Sequence, residues 1–396
     1  MVAKGFKNTE IGVIPEEWEV QTVGDIIDFS GGSQPPLSTF SNVKKDGFVR
    51  LIQIRDYKSD KFKVYIDERL GRKFCKKDDI MIGRYGPPIF QILRGIEGAY
   101  NVALLKATPT NVILKDYAWH FLRNERLFNF IDKLSQRSSG QTGVDLGELR
   151  SYLIPLPPLP EQKAIAEALS DADAWIANLD QLIAKTRLIK QGAMQQLLSP
   201  KEDWGVKKLG EIAKVVGGGT PSTFNPEYWN GDIEWFTPTE VGYTKYLRSS
   251  RRKISKAGLF NSSASILPVG TLLLTSRAGI GDIGILTTEA STNQGFQSLI
   301  VNSEIDNEFI YYLMLTKRAL LLQNASGSTF LEISPNKVKS IDLAIPSLAE
   351  QTRIATILSD MDTEIESLEN QLAKARQIKQ GMMQALLTGR VRLVKS

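Results

Sequence analysis

The amino-acid sequence predicts an α+β protein: two mixed α/β domains joined by two long antiparallel helices, which form a coiled-coil spacer and give the chain an internal pseudo-two-fold symmetry. Three observations lead there. The segment EQKAIAEALSDADAWIANLDQLIAKTRLIKQG (161–192) returns as EQTRIATILSDMDTEIESLENQLAKARQIKQG (350–381), and self-similarity at a long period marks a duplicated architecture. In both copies apolar or small residues recur at mostly alternating steps of four and three, the seam of a coiled coil. In both, acids come early and bases late. At 396 residues and 42% hydrophobic content, the chain is also too long for a single core. Residues 1–160 are expected as the first domain and 161–199 as the first long helix. The second domain follows at 200–349, the second long helix at 350–390 and a short tail at 391–396.

The duplication reaches well beyond the helices. WEVQTVGDIIDFSGGSQP (18–35) matches WGVKKLGEIAKVVGGGTP (204–221), and GRYG (83–86) corresponds to SRAG (276–279), which places Arg84 and Arg277 alike. SSGQT (138–142) corresponds to ASGST (325–329). Between these anchors the halves diverge. In the first half RLIQIRD, DIMIGRYG and YNVALLKA read as strands and YAWHFLRNERLFNFIDKL as a helix; in the second, IEWFTP, TLLLTSRA and FQSLIVNS read as strands and NEFIYYLMLTKRALLLQ as a helix.

The seam is expected at Ile165, Leu169, Ile176, Leu179 and Ile183 in the first copy, and at Ile354, Leu358, Ile365, Leu368 and Leu372 in the second, with Ile189 and Ile378 continuing it. Each helix lacks Pro or Gly for about 30 residues, or roughly 45 Å at 1.5 Å per residue. Gly192 and Gly381 are expected to weaken or stop the last turns. The early acids (Glu161, Glu167, Asp171, Asp173 and Asp180; Glu350, Asp360, Asp362, Glu364, Glu366 and Glu369) and the late bases (Lys185, Arg187 and Lys190; Lys374, Arg376 and Lys379) suit each helix's dipole and favour antiparallel packing, because each acidic half then lies beside the partner's basic half. The other arrangement is for each helix to pack on its own domain.

Composition and motifs exclude several kinds of chemistry. One cysteine, Cys75, and one histidine, His120, cannot build a disulfide framework or an ordinary Cys/His zinc site. No apolar run reaches membrane-spanning length and the first residues lack the apolar core of a secretory signal, so a cytoplasmic chain without a membrane partner is expected. No GxxxxGK[ST] loop occurs. Gly279, Gly281 and Gly284 form a GxGxxG after a strand, but ILTTEASTNQG follows where a dinucleotide site needs a helix N-terminus, so a strand turn is the better reading. PEQK at 160–163 resembles a nuclease fragment, yet its copy has Thr352 in place of the lysine, and a repeated helix start explains both. GPPIF at 86–90 lacks the polar residue that amino-methyltransferases place before Pro-Pro. No catalytic residue and no metal ligand is assigned.

Charge distribution points to a polyanion. Residues 41–106 carry a net +7 and residues 240–280 a net +6, although the whole chain is only +5. Clustered Lys and Arg release counterions from a phosphate backbone; solvated loop faces are the plainer alternative. The glycine turns FSGGSQPP and VVGGGTPS either let a ligand approach the backbone or are simple turns. Arg84 and Arg277 can fork to guanine or phosphate, or close a salt bridge.

The opening TEIGVIPEEWEV, the WxVxxxG elements before a glycine turn and Pro, the pair IPLPPLPEQ and IPSLAEQ, and the twin IKQGxMQxLL endings resemble the DNA specificity subunit of Type I restriction-modification systems. The resemblance spans essentially the whole chain. It implies two target recognition domains on double-stranded DNA, each reading half of a bipartite site, with the helices fixing the gap. It also implies partners: two modification subunits using S-adenosylmethionine, and motor-nuclease restriction subunits using ATP and Mg, while this chain binds no cofactor itself. A solitary DNA-binding or scaffold protein of the same architecture is the other reading. Because phosphate contacts position and base contacts specify, Lys44, Lys45, Arg50, Lys58, Lys61, Lys63, Arg248, Arg251, Arg252, Lys253 and Lys256 are expected at phosphates. Base reading is expected from Arg84, Asn101, Gln141, Thr142, Arg277, Asn293, Gln294, Ser328 and Thr329, and from the turns Gly31, Gly32, Ser33, Gln34 and Gly218, Gly219, Thr220, Ser222. The ends 189–198 and 378–387 are expected to help dock the modification subunits.

Overall fold

A computed structural model of the protein describes residues 4–137, 143–277, 279–327 and 331–393. The chain forms two compact units, Met1–Asp180 with Asn370–Ser396, and Gln181–Glu369. Helices Leu159–Leu197 and Leu348–Leu386, the first and second long helices, each contribute one half to each unit.

In the first unit, Ile27–Gly31, Leu104–Pro109, Ile80–Gly83 and Gln91–Leu93 form an antiparallel sheet. A second sheet runs Tyr65–Asp67, Phe48–Ile52, Gly98–Tyr100, Phe74–Cys75, its middle pair parallel. The apolar run at 80–82 is buried on both faces, and period-2 alternation explains how. Ile80 and Ile82 face the main core with Leu105, Tyr117 and Leu127, while Met81 faces a smaller cluster with Ile52, Tyr100 and Leu104.

The second unit repeats the device. Its five-stranded sheet is ordered Ala213–Gly217, Gln297–Val301, Leu272–Leu274, Ile283–Leu286, Tyr246–Leu247, beside a three-stranded sheet of Arg252–Ile254, Trp229–Phe236 and Ala290–Thr292. Leu272 and Leu274 face the main core with Phe309, Ile310 and Leu313, and Leu273 faces the lesser cluster with Phe236 and Phe296. Gly279 (φ +120°) and Gly281 (φ +92°) turn the chain between antiparallel strands Leu272–Leu274 and Ile283–Leu286, so the GxGxxG run is a strand turn.

The helix expected over 117–134 is two helices, Lys115–Leu122 and Glu125–Arg137, because the Asn124 side chain accepts from Arg126 N and starts a new one. That over 307–323 likewise divides into Asn307–Thr316 and Arg318–Asn324.

Both long helices begin on a buried glutamine brace. Gln162 accepts from Leu114 N and donates to the carbonyls of Val112 and Pro157. Gln351 accepts from Asp306 N and donates to Pro346 O. Beside Gln162, buried Glu161 accepts from Trp18 Nε1 at 2.8 Å and from Arg392 Nε at 2.6 Å. The matching Trp204 Nε1 is buried without a partner, and Glu350 pairs instead with Arg353 and Lys201.

Within each unit the helix halves run in opposite directions, and acidic half lies beside basic half as expected. Asp173 pairs with Lys379 and Asp180 with Arg376 in the first unit; Asp362 pairs with Lys190 and Glu369 with Arg187 in the second. Of the seam positions, Ile165, Leu169, Leu179, Ile183, Ile354, Leu358, Leu368 and Leu372 are buried, while Ile176 and Ile365 are half-buried. Ile165 and Leu169 belong to the first core and Ile354 and Leu358 to the second, so the first turns of each helix also serve their own domain.

Two expectations about the helix ends are corrected. Neither Gly192 nor Gly381 stops its helix, which runs on to Leu197 and Leu386. Met382, Met383, Leu386 and Leu387 pack in the first core, and Met194, Leu197 and Leu198 in the second. That burial outweighs the roughly 1 kcal/mol cost of a helical glycine. The seam does not continue at Ile189 and Ile378, which are exposed; the neighbouring Lys190 and Lys379 turn inward to their carboxylates. No helix among the described residues is long and apolar enough to cross a membrane.

Candidate nucleic-acid interface

The glycine turns lie at the ends of the core sheets, and their glycines are required by the protein's own backbone. A Cβ on Gly32 would sit 2.0 Å from Asn101 O, and one on Gly218 2.1 Å from Asn293 O. Gly219 is closed off by Ser263 and Ala264 at 2.4 Å. Backbone bonds from Gly32 N to Leu104 O, Ser33 N to Tyr100 O and Gly219 N to Thr292 O pin the turns. Gly32, Gly218 and Gly219 are therefore corrected from ligand-approach positions to packing positions. Gly31, Ser33, Gln34, Thr220 and Ser222 remain on these turns, with Gln34 and Ser222 exposed.

Each glycine turn meets an asparagine turn. Asn101 Oδ1 accepts from Ala103 N, and Asn293 Oδ1 accepts from Gly295 N. Asn101 is buried and so holds the turn rather than facing outward, whereas Gln294 is exposed and accepts from Thr220 Oγ1 at 2.6 Å. The structure thus gathers Gly218–Gly219, Thr220, Asn293 and Gln294 at one edge.

Register corrects the pairing of the two arginines. Leu104 bridges Gly83 as Phe296 bridges Thr275. Arg84 N donates to Ala103 O and Arg84 O accepts from Val144 N, just as Ser276 N donates to Gly295 O and Ser276 O accepts from Ile333 N. Arg84 therefore occupies the place of Ser276, and Arg277 that of Tyr85. Arg84 lies with Nε buried and unpartnered and its guanidinium over the Tyr85 ring. Arg277 closes a 2.9 Å ion pair with Glu332. Gln141, Thr142, Ser328 and Thr329 lie outside the described residues.

The basic residues separate into exposed and engaged groups. Lys44, Lys45, Lys58, Lys61, Arg248, Arg251 and Lys256 are exposed. Arg50 is not: it reaches Asp60 at 3.1 Å and Asp56 at 3.8 Å with its side chain only 15% exposed, which corrects its expected place at phosphate. Lys63 pairs with Asp60, and together with Arg50 it holds that carboxyl below the usual range. Lys253 pairs with Glu234 at 2.6 Å; burial raises that carboxyl, but Lys253 and Ser250 outweigh it and keep it low. Arg252 stacks 3.7 Å from the Trp229 ring centroid.

Sequence reasoning missed the tryptophans that hold this edge. Trp229 Nε1 donates to Ser222 O and Trp235 Nε1 to Gly219 O, which ties the glycine turn to the basic strand Arg252–Ile254. The register shifts between Trp229 and Ile233, both of which pair with Ile254, and this irregularity brings the two rings to 5.1 Å; no fixed period in WNGDIEW foretells it. The arrangement offers hydrogen-bonding groups and arginine beside fixed turns, suited to a polyanion with readable edges.

A family model for the Type I restriction modification DNA specificity domain matches this chain twice, over residues 15–186 and 201–377. The Type I restriction enzyme MjaIX specificity subunit of Methanocaldococcus jannaschii is 42% identical over 174 residues, 43% of this chain and 40% of that protein. The MjaVIII specificity subunit of the same organism is 26% identical across 98% of this chain and 96% of its own. The first alignment spans under half of either protein, the second nearly all of both. A solved structure of the Type I restriction-modification S subunit from M. genitalium shares the fold, with a TM-score of 0.58 at 16% identity over 93% of this chain and 96% of that one.

Proposed function

The chain belongs to the Type I restriction modification DNA specificity family, and on that premise we propose that it is the sequence-specific DNA-binding subunit of a Type I restriction-modification complex. The doubled match, one specificity domain per half, carries the reading. Each domain reads one half of a bipartite site on double-stranded DNA, and the long helices, as a coiled-coil spacer, set the gap. The subunit does no chemistry. Two modification subunits supply S-adenosylmethionine-dependent methylation, and motor-nuclease subunits supply translocation and cleavage with ATP and Mg, all in the cytoplasm.

Lys44, Lys45, Lys58 and Lys61 in the first half, and Arg248, Arg251 and Lys256 in the second, hold phosphates and set register without reading sequence. Gln34, Thr220, Ser222 and Gln294 face base edges, and Arg277, its side chain 47% exposed, leaves its ion pair with Glu332 to join them. The modification subunits dock on the outward helix faces, where Trp175, Leu182, Leu188, Ile189 and Ile378 are exposed. The inward-packed Met and Leu residues of the twin endings are not available for it.

The test is adenine methylation mapped by long-read sequencing in a host expressing this chain with its modification subunit, against the modification subunit alone. A split motif present only with this chain is expected. A confirmed complex that adds no methylation would overturn the reading. In the same assay Arg277→Ala relaxes the second half-site alone, and equal loss at both halves would remove Arg277 from base reading.

A further inference from the structure

Each half carries one large apolar side chain in water just beyond its glycine turn. Phe224 is 97% exposed and Leu37 75% exposed. Counted from the equivalent glycines, Leu37 lies five residues after Gly32 and Phe224 six after Gly218. An aromatic side chain left in water forgoes a large burial gain, since Phe is among the residues that contribute most by being buried. Neither stabilises a core.

The loops that present them are fixed. Around Phe224, Ser222 O accepts from Trp229 Nε1 at 3.1 Å and from Asn225 N, and the Asn225 side chain accepts from Glu227 N. Leu37 begins the short helical turn Leu37–Thr39, closed by Thr39 N to Pro36 O and by Phe40 N to Leu37 O. That loop then joins the basic sheet through Ser41 N to Tyr65 O. Cations lie on the elements these loops join: Arg252 lies on Trp229, the same ring that holds the Phe224 loop, and Lys45 lies over Phe48 on the strand beside Tyr65–Asp67. A rigidly held apolar tip inside a basic edge matches one feature of duplex DNA, the apolar surface at base edges: thymine methyl groups and the faces of deformable steps, reached between rows of phosphate.

We propose that Phe224 is a specificity-determining residue that makes apolar contact with the bases of one half-site, and that Leu37 does the same in the other. This rests on the DNA-recognition reading above. The contact adds discrimination without adding charge, so it strengthens the preferred sequence and leaves the counterion term untouched.

Phe224→Ala, Phe224→Trp and Leu37→Ala are compared with wild type, each in complex with the modification subunit, by methylation mapping and by binding to the mapped duplex across a salt series. Phe224→Ala is expected to lose preference at positions of one half-site only, with binding about tenfold weaker and an unchanged slope of log K against log salt. Phe224→Trp retains the motif, and Leu37→Ala affects the opposite half-site. If both alanine variants keep the wild-type motif and affinity, or if either degrades both half-sites equally, the proposal is overturned. A wild-type complex that produces no split motif would overturn the DNA-recognition reading and this proposal with it.

Discussion

The two halves of this chain repeat the same ion pairs position for position along their helices and part company where the helices meet the domains. Asp173–Lys379 and Asp180–Arg376 in the first unit reappear as Asp362–Lys190 and Glu369–Arg187 in the second. At the joint, His120 Nε2 lies 3.0 Å from Ser170 Oγ, whereas Tyr312 donates to Asp362 at 2.6 Å and Lys245 bonds Tyr312, Ser359 and Glu308. Trp18 is bonded through its nitrogen and Trp204 is not. A frame that must repeat is constrained at every position, while a joint needs only to be filled and satisfied, and different side chains can do both.

The sharpest way to break the shared frame is at the two glycines pressed against asparagine carbonyls. Gly32→Ala or Gly218→Ala should destabilise its own unit by at least about 4 kcal/mol, a loss reserved for severe core faults. Gly31→Ala and Gly217→Ala, whose added Cβ meets at most Leu105 at 3.9 Å, should stay within about 1 kcal/mol. Hydrogen exchange resolved by unit measures all four, and equal costs would refute the packing role of Gly32 and Gly218.

The joints should differ in their response to acid. Burial pushes the His120 imidazole down to about 4 despite Asp173, with Lys379, Arg123 and Arg94 adding to the fall. The unfolded chain takes up this proton first, so the first unit loses stability as pH falls from about 6.5 to 4, by up to about 3 kcal/mol. Burial and Asp362 raise the Tyr312 hydroxyl, so it stays protonated and gives the second unit no such loss. Chemical denaturation of wild type and His120→Gln at pH 7 and pH 4.5 checks this; a variant that keeps the acid sensitivity would assign it elsewhere.

Trp18→Phe removes a buried hydrogen bond to the Glu161 carboxylate and should cost about 2 kcal/mol. Trp204→Phe removes no bond and should cost less than about 1 kcal/mol beyond its lost contacts. A difference in thermal unfolding of the opposite sign would contradict the asymmetry. The smallest effect is expected at the exposed repeated pairs: Arg376→Ala and Arg187→Ala should each cost under about 1 kcal/mol, and equally, with the loss fading in high salt.

Much of this was legible in the sequence. Heptad spacing and the drift from acid to base along 161–192 and 350–381 gave both helices, their direction and the facing of acidic against basic halves, because a helix's neighbours are set by a fixed period; which acid meets which base came from the structure. The GxGxxG run was correctly read as a turn. Aligning GRYG with SRAG misplaced Arg84 against Arg277 by one residue, since divergent loops carry no period that fixes register. The free reading of Arg50 failed because Asp56 and Asp60, six and ten residues away, fold back upon it.

Sequence by itself determined that the chain is two copies of one plan, that two long helices pair antiparallel, and that the acidic half of each lies beside the basic half of the other; local periodicity and composition suffice for that. Tertiary structure alone decided that Met382, Met383, Leu386 and Leu387 complete the first core and Met194, Leu197 and Leu198 the second. It alone decided that the glycines serve the backbone, and that Phe224 and Leu37 are left facing water. Each of these depends on which distant segment comes to rest against a residue, and burial of that kind is a property of the packed chain, not of any window of its sequence.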